Sequence, residues 1–240
     1  MTKRASNILL FLTILVVVGG STWQFFAAKS LTIRFYPYMG DKPLLLNEQI
    51  YPNPGGPGQF KIRDLQLFIS NVQLQNGQQQ YSQKDSYHLL RFDNEQGYFD
   101  IVIDDVAVQQ FDTLQMGIGV DDTANGSIVF AGDLDPNGRM AWNWQVGYKF
   151  LLLEGSLQTE QESIPLVYHI GFDESYTKIQ FAMPEANAFS DHIIELKVNV
   201  YQLFDQQQPV NMADISTVKF DPDNVKTIAK AFPQLISVKR

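Results

Sequence analysis

Three segments of the chain, residues 31–35, 60–68 and 194–200, alternate apolar and polar residues with a period of two. This alternation places every second side chain on one face, which is typical of a half-buried β-strand and not of a helix. Turn sequences rich in Gly, Pro, Asn and Asp separate these segments, at residues 52–58, 76–77, 125–126 and 135–138. Short strands at frequent intervals predict a mainly β protein, an antiparallel β-sandwich.

One short helix is predicted near the C-terminus. Asp221 followed by Pro222 is typical of a helix N-cap and first turn. Four apolar residues then share one helical face: Val225, Ile228, Ala229 and Phe232. Pro233 is expected to end this helix.

The first 28 residues are typical of an export segment. Lys3 and Arg4 precede an apolar run over residues 8–18, and small residues follow at 19–21. If the chain is cleaved there, it begins near Thr22; if it is not, the apolar stretch to Ala28 is long enough to anchor it in a bilayer. The positive-inside rule places the rest of the chain outside the cytoplasm in both cases. We therefore expect a signal or anchor helix in residues 1–28 and one β-sandwich domain over 29–240. The expected location is the periplasm or outer surface of a Gram-negative bacterium, with membrane contact only through residues 8–28.

Composition excludes several classes of function. The net charge is −8, with 18 Lys and Arg against 26 Asp and Glu, and a nucleic-acid partner requires the opposite balance. The absence of cysteine removes zinc fingers, disulfide scaffolds and thiol enzymes. Hydrolase, metalloprotease and nucleotide-binding motifs are missing too, so we do not expect an enzyme. With three histidines in the chain, any histidine-based metal site depends on His88, His169 or His192. An exposed or turn-capping role is expected for His192.

Residues 131–148 contain two groups of side chains that are suited to binding a metal ion or lining a functional pocket. Asp133, Asp135 and Asn137 match the opening of a calcium-binding loop, although Trp144 stands where the loop requires Glu. Calcium binding and a plain turn both remain open there. Next, Met140, Trp142 and Trp144 share one face of a predicted strand. They are either anchors of the core or residues of a functional pocket.

The same region resembles a known family. The chain reads Leu134-Asp135-Pro136-Asn137-Gly138, Met140-x-Trp142-x-Trp144-x-x-Gly147-Tyr148, Glu154-Gly155 and His169-Ile170-Gly171. This order resembles the signature of the MbnP-like family of exported proteins, named for a methanobactin-associated copper-binding protein. Segments 60–71, 87–90 and 118–121 and the C-terminal helix also follow the family's order, so the resemblance covers the chain after the signal. It implies a β-sandwich and, for characterised members, a copper site of two histidines and an oxidised tryptophan.

Carried onto this sequence, the resemblance assigns the copper ligands to His88 and His169. Trp142 or Trp144 would shape the pocket. By its own chemistry, Met140 is either a third ligand through its soft thioether or a residue that fills the core. The function implied is an exported copper-binding accessory protein, with a periplasmic redox or transport partner. Two nitrogens each about 2 Å from one metal lie at most ~4 Å apart, which gives the site a geometric criterion.

The alternative function is a secreted β-sandwich module that binds glycan or protein without metal. Exposed aromatic rings aligned on a solvent face would carry it, and Tyr36, Tyr38, Tyr51 and Tyr98 are the candidates. An imidazole separation far above the metal criterion would favour this alternative.

Overall fold

The computed structural model describes residues 29–106, 111–127, 132–143, 147–183 and 193–239. The predicted signal or anchor helix, Trp144 and His192 lie outside these ranges. Within the ranges, no helix is long and apolar enough to cross a membrane.

Fifteen β-strands account for most of the regular structure in these ranges. The first eight are β1 (Lys29–Met39), β2 (Lys42–Pro43), β3 (Tyr51–Pro52), β4 (Gln59–Asn76), β5 (Gln79–Ser82), β6 (Tyr87–Arg91), β7 (Phe99–Val106) and β8 (Thr113–Ile118). The remainder are β9 (Ala141–Asn143), β10 (Gly147–Gln158), β11 (Ser163–Gly171), β12 (Thr177–Ala182), β13 (Ile193–Asn199), β14 (Thr217–Val218) and β15 (Ile236–Val238). The helices are α1 (Asp122–Asn125), α2 (Pro222–Ala229) and α3 (Phe232–Leu235), with 3-10 turns at Gly132–Leu134, Asp173–Ser175 and Val200–Leu203.

Two sheets form the sandwich. The first has five strands, in the order β15, β13, β1 and β2, and β7 also pairs with β1. The second has ten strands, in the order β12, β8, β4, β10, β11 and β14. In this second sheet β3, β5 and β6 pair with β4, and β9 pairs with β10. The prediction of a mainly β sandwich is confirmed.

Strand β1 follows the predicted alternation. Leu31, Ile33 and Phe35 are almost fully buried. Arg34 and Tyr36, on the opposite face, are partly exposed. Pairing departs from the antiparallel expectation at two places, because β1 runs parallel to β13 and β11 runs parallel to β14. Those partners are far apart in sequence and are not joined by a hairpin, so local turn signals do not specify their direction.

Strand β4 is buried on both faces in its middle. All residues from 65 to 70 are buried, including Gln66 and Ser70 on the face that alternation predicts to be solvated. Tyr148, the second residue of β10, lies against that face, with its ring 5.8 Å from the Phe68 ring. The Tyr148 hydroxyl in turn donates to the Leu134 carbonyl at 2.5 Å. The second sheet therefore has an inner face on the sandwich core and a partly covered outer face.

The local signals of turns and helix ends are mostly confirmed. The hairpin at residues 76–77 joins β4 to β5, and Gly77 adopts the positive φ of 57° that such a turn needs. Asp221 caps α2 by accepting a hydrogen bond from the Asn224 N–H at 2.8 Å. The predicted helix end is wrong, because α2 ends at Ala229 and Pro233 lies in the first turn of α3. Proline fits there because the first turn of a helix leaves its N–H groups unbonded.

Candidate functional site

The second sheet carries both described histidines on different strands. On β6, His88 lies opposite Ile69 of β4. On β11, His169 lies opposite Leu152 of β10, which in turn lies opposite Gln66 of β4. The strand order between the histidines is thus β6, β4, β10, β11. Three strand spacings of about 4.8 Å separate them by about 14 Å across the sheet.

The two imidazoles also project from opposite faces. Residues directly opposite in antiparallel strands share a face, and successive residues alternate between faces. Ile69 and Gln66 are three positions apart on β4, so His88 belongs to one face and His169 to the other. The prediction that His88 and His169 bind one copper ion together is therefore wrong.

His169 is held by a carboxylate. Its Nε2 lies 3.0 Å from Oε1 of Glu154, and the residue is 9% exposed. Burial raises the pKa of Glu154, but hydrogen bonds from Arg63 and His169 and the charge of Arg139 lower it to about 2. An ionised carboxylate can only accept, so Nε2 of His169 carries the proton and Nδ1 keeps its lone pair. Burial lowers the pKa of His169, more than the hydrogen bond to Glu154 raises it.

Cations surround this pair. Arg63 donates to Oε2 of Glu154 at 2.7 Å, and Arg139 donates to the same oxygen at 3.1 Å. Arg139 also forms an ion pair with Asp64. Lys149 donates to the backbone carbonyl of Arg139. Three cations thus lie among two carboxylates, and the neighbourhood of His169 has an excess positive charge.

Trp142 packs over Gly171, on the face of β11 that also carries His169. Gly171 is two residues, about 7 Å, along β11 from His169, and alternation gives the two positions the same face. A Cβ atom at Gly171 would be 2.7 Å from Cζ3 of Trp142, so the indole covers that glycine closely. Phe172 and Phe220 pack against the indole, with ring centroids 5.2 Å and 5.3 Å from it. The structure therefore places one predicted ligand and one predicted pocket residue on the same face of the sheet.

His88 has a separate environment. Its Nε2 is 2.8 Å from Oε1 of Gln83, which also accepts a hydrogen bond from Ser86 at 2.8 Å. Burial lowers the pKa of His88, and the charge of Asp133 opposes this. Among the described residues its ring nitrogen faces a neutral amide and not a carboxylate, so His88 lacks the ionised partner that distinguishes His169.

The predicted calcium loop does not converge on one point. One oxygen of Asp133 accepts from the Leu89 N–H at 2.8 Å, and its other oxygen lies 3.5 Å from Arg91. Asp135 instead accepts from the backbone N–H and side-chain amide of Asn137, at 2.9 Å and 3.0 Å. This is the arrangement of an Asx turn. In the ranges that the structure describes, no group of three or more His, Asp or Glu side chains is placed to hold a metal ion.

Met140 and the tyrosines also have other roles than the predicted ones. Met140 is 2% exposed and belongs to the core. It precedes the three-residue strand β9, so it does not share a strand face with Trp142. Tyr51 is buried as well, at 6% exposure.

Tyr36 and Tyr38 lie on β1 and Tyr98 directly precedes β7, and all three rings are covered by cations. Arg34 lies over the Tyr98 ring at 3.8 Å, Lys239 over the Tyr36 ring at 3.9 Å, and Lys197 over the Tyr38 ring at 4.7 Å from its centroid. One face of each ring is thus already occupied. The four tyrosines do not form the bare aromatic platform that glycan stacking would use.

Comparison with known proteins identifies the family. The sequence profile of the MbnP family matches residues 28–224. The chain belongs to the MbnP family. The solved structure of MbnP from Methylosinus trichosporium aligns with a TM-score of 0.51 and 14% identity, over 73% of this chain and 77% of that chain. At this identity the structural likeness supports the shared fold alone. No curated protein gives a significant match.

Family membership confirms the resemblance that the Trp-rich block indicated. It does not restore a two-histidine site, because β6 and β11 keep His88 and His169 apart. Of the two histidines, His169 has its tautomer fixed by Glu154, and Trp142 covers Gly171 on the same strand and face.

Sequence reasoning missed the charged residues around His169. Arg63 and Asp64 lie on β4, and Lys149 and Glu154 lie on β10. A signal for them exists, because Glu154 directly follows the apolar run 150–153 within a strand. A charge within a buried strand requires a partner, and this requirement points to a polar cluster.

Proposed function

We propose that this MbnP-family protein is an accessory protein in copper handling, with copper as its cargo and His169 as a copper ligand. The role is binding and not catalysis, with transfer to or from a periplasmic redox or transport partner. The observation that carries the proposal is the hydrogen bond from His169 to ionised Glu154, at 3.0 Å, on the sheet face where Trp142 covers Gly171. Metal-binding histidines commonly donate their second ring N–H to a carboxylate in this way.

The protonation state of His169 suits a metal ligand. Its lowered pKa keeps the imidazole neutral at pH 7, as ligation requires. With the proton on Nε2, Nδ1 is the donor atom offered to copper. Imidazole nitrogen is a good ligand for copper, and the neighbouring indole would limit access of water to the ion.

The positive charge around His169 favours Cu(I) over Cu(II). Arg63, Arg139 and Lys149 outnumber Asp64 and Glu154, so a monovalent ion meets less repulsion than a divalent one. We therefore propose Cu(I) as the ion bound at His169.

Competition titration tests the proposal. The purified protein is titrated with Cu(I) against a chromophoric chelator, together with His169→Gln and, as a matched control, His88→Gln. We expect His169→Gln to weaken Cu(I) binding at least about tenfold. His88→Gln, on the other face of the sheet, should change it less than about twofold.

Two results would contradict the copper proposal. The first is wild-type protein that does not compete for Cu(I) at all. The second is a His169→Gln variant that binds Cu(I) as tightly as wild type. Equal losses in both variants would instead mean that the histidines act on one ion, against the strand register.

We also propose that the protein is exported. The support is the order of basic residues, apolar run and small residues in residues 1–21. Fused to alkaline phosphatase, which is active only outside the cytoplasm, residues 1–28 should give an active reporter. Replacing Lys3 and Arg4 by Glu should reduce the exported fraction, and an inactive wild-type fusion would reject the proposal.

A further inference from the structure

An open groove lies between helix α2 and the turn that follows β11. Its volume is about 680 Å³. The apolar lining is Phe172, Phe220, Pro222, Val225, Ala229 and Pro233. Ligand sites commonly occupy about 300 to 1,000 Å³ and are mostly apolar, so both the size and the lining of this groove suit a small organic ligand.

Phe220 gives this groove an exposed apolar surface. It is 58% exposed, more than any other large hydrophobic residue among the described ones. Its ring is nevertheless fixed, because it packs on Trp142 at 5.3 Å. Phe172 packs on the same indole at 5.2 Å. The aromatic wall is thus ordered before any ligand arrives, which reduces the entropy that binding would cost.

Two lysines give the groove a charge opposite to that of the whole protein. Lys226 on α2 and Lys230, which directly follows the helix in αR conformation, both line it and are four residues apart, so they lie on one side. Neither forms an ion pair with any residue that the structure describes. One carboxylate, Glu174, lines the groove as well, which leaves one excess positive charge in a chain of net charge −8.

We infer that this groove binds an amphipathic carboxylate, with its alkyl or aryl part against Phe172 and Phe220 and its carboxylate on Lys226 and Lys230. The apolar wall provides burial for the hydrocarbon, and the ammonium groups supply charge-assisted hydrogen bonds to the anion. A neutral or cationic amphiphile of the same length would gain the burial of its hydrocarbon but not the hydrogen bonds to the lysines. The inference does not rest on copper binding, since neither lysine belongs to the cluster around His169.

Calorimetric titration with monomeric dodecanoate tests the inference on the full chain without copper. Lys226→Glu combined with Lys230→Glu should weaken dodecanoate binding at least about tenfold. The matched control combines Lys42→Glu with Lys84→Glu, two exposed positions outside the groove, and should bind as wild type does. Glu174→Gln should bind dodecanoate more tightly, because it removes the one repulsive charge.

Ligand charge provides a second criterion. Wild type should prefer dodecanoate to dodecyltrimethylammonium, and the Lys226→Glu, Lys230→Glu variant should reverse that preference. Phe220→Ser should weaken both ligands, and its exposure makes unfolding a poor explanation for the loss. Unchanged dodecanoate affinity in the lysine variant, or no saturable binding by wild type, would overturn the inference. Binding to phosphatidylglycerol vesicles without binding to monomeric dodecanoate would overturn it too, in favour of a membrane surface.

Discussion

Glu154 connects the most groups at the proposed copper site. It accepts hydrogen bonds from His169, Arg63 and Arg139 while its side chain is 13% exposed. Its negative charge opposes the effect of burial on His169, which would otherwise have an even lower imidazole pKa. Glu154 therefore determines both the orientation and the basicity of the imidazole, the two properties that a metal ligand needs.

Replacing Glu154 by Gln separates these two properties. The amide oxygen can still accept from Nε2, but the negative charge is lost. The pKa of His169 should fall further, and Cu(I) affinity should fall about tenfold. Titration followed by two-dimensional NMR of the imidazole nitrogens measures the pKa. Glu160→Gln, at an exposed position, is the control. An unchanged His169 pKa would show that Glu154 does not act on it electrostatically.

Among the elements, helix α2 depends on its cap. Asp221 accepts from the Asn224 N–H at 2.8 Å, while Val225 and Ile228 attach the helix to the core. The helix has eight residues, so one lost cap is a large fraction of its end stabilisation.

Asp221→Ala should lower the free energy of unfolding by about 1 kcal/mol, because the side-chain acceptor is lost. Asp221→Asn keeps an acceptor and should cost much less. Urea unfolding measures both variants. If alanine and asparagine gave equal stability, the hydrogen bond of the cap would not be the stabilising contact. Because α2 also carries Lys226, the alanine variant should bind dodecanoate more weakly as well.

At the scale of the whole molecule, stability depends on pH through buried groups. Burial lowers the pKa of both His88 and His169 from 6.5. The folded state then binds fewer protons than the unfolded state. The contribution of the histidines to stability is therefore fully present above about pH 6.5 and is lost as the pH falls towards their folded values. Glu154 acts in the same direction at lower pH, between its ordinary pKa of 4.5 and its folded pKa of about 2.

Urea midpoints at about pH 7.5 and about pH 5.5 test this dependence. Wild type should lose stability over the interval, and a variant with His88→Gln and His169→Gln should lose less. The difference between the stability that wild type loses and the stability that the variant loses gives the contribution of the histidines apart from the other titrating groups. Equal losses of stability in wild type and variant would mean that the histidines have the same pKa in the folded and unfolded states.

The parts of the fold that short-range patterns specify were predictable. The alternation in residues 31–35 and 60–68 predicts strands because side chains on a strand repeat every two residues. The turn at 76–77 and the cap at Asp221 are equally local, since a few residues determine each. The family was recognisable because the block around Trp142 keeps its residue types and spacing.

Only the tertiary structure decided the site. Whether His88 and His169 meet depends on the strand order β6, β4, β10, β11 and on which residues lie opposite each other in each strand pair. No local sequence pattern encodes the strand order or these pairings. A shift of one residue in any of these pairings would move an imidazole to the other face. The same long-range pairing brings Trp142 over Gly171 and Glu154 to His169. The sequence by itself thus determined the class of fold, the family and the donors available, and the sheet register decided which of those donors share a face.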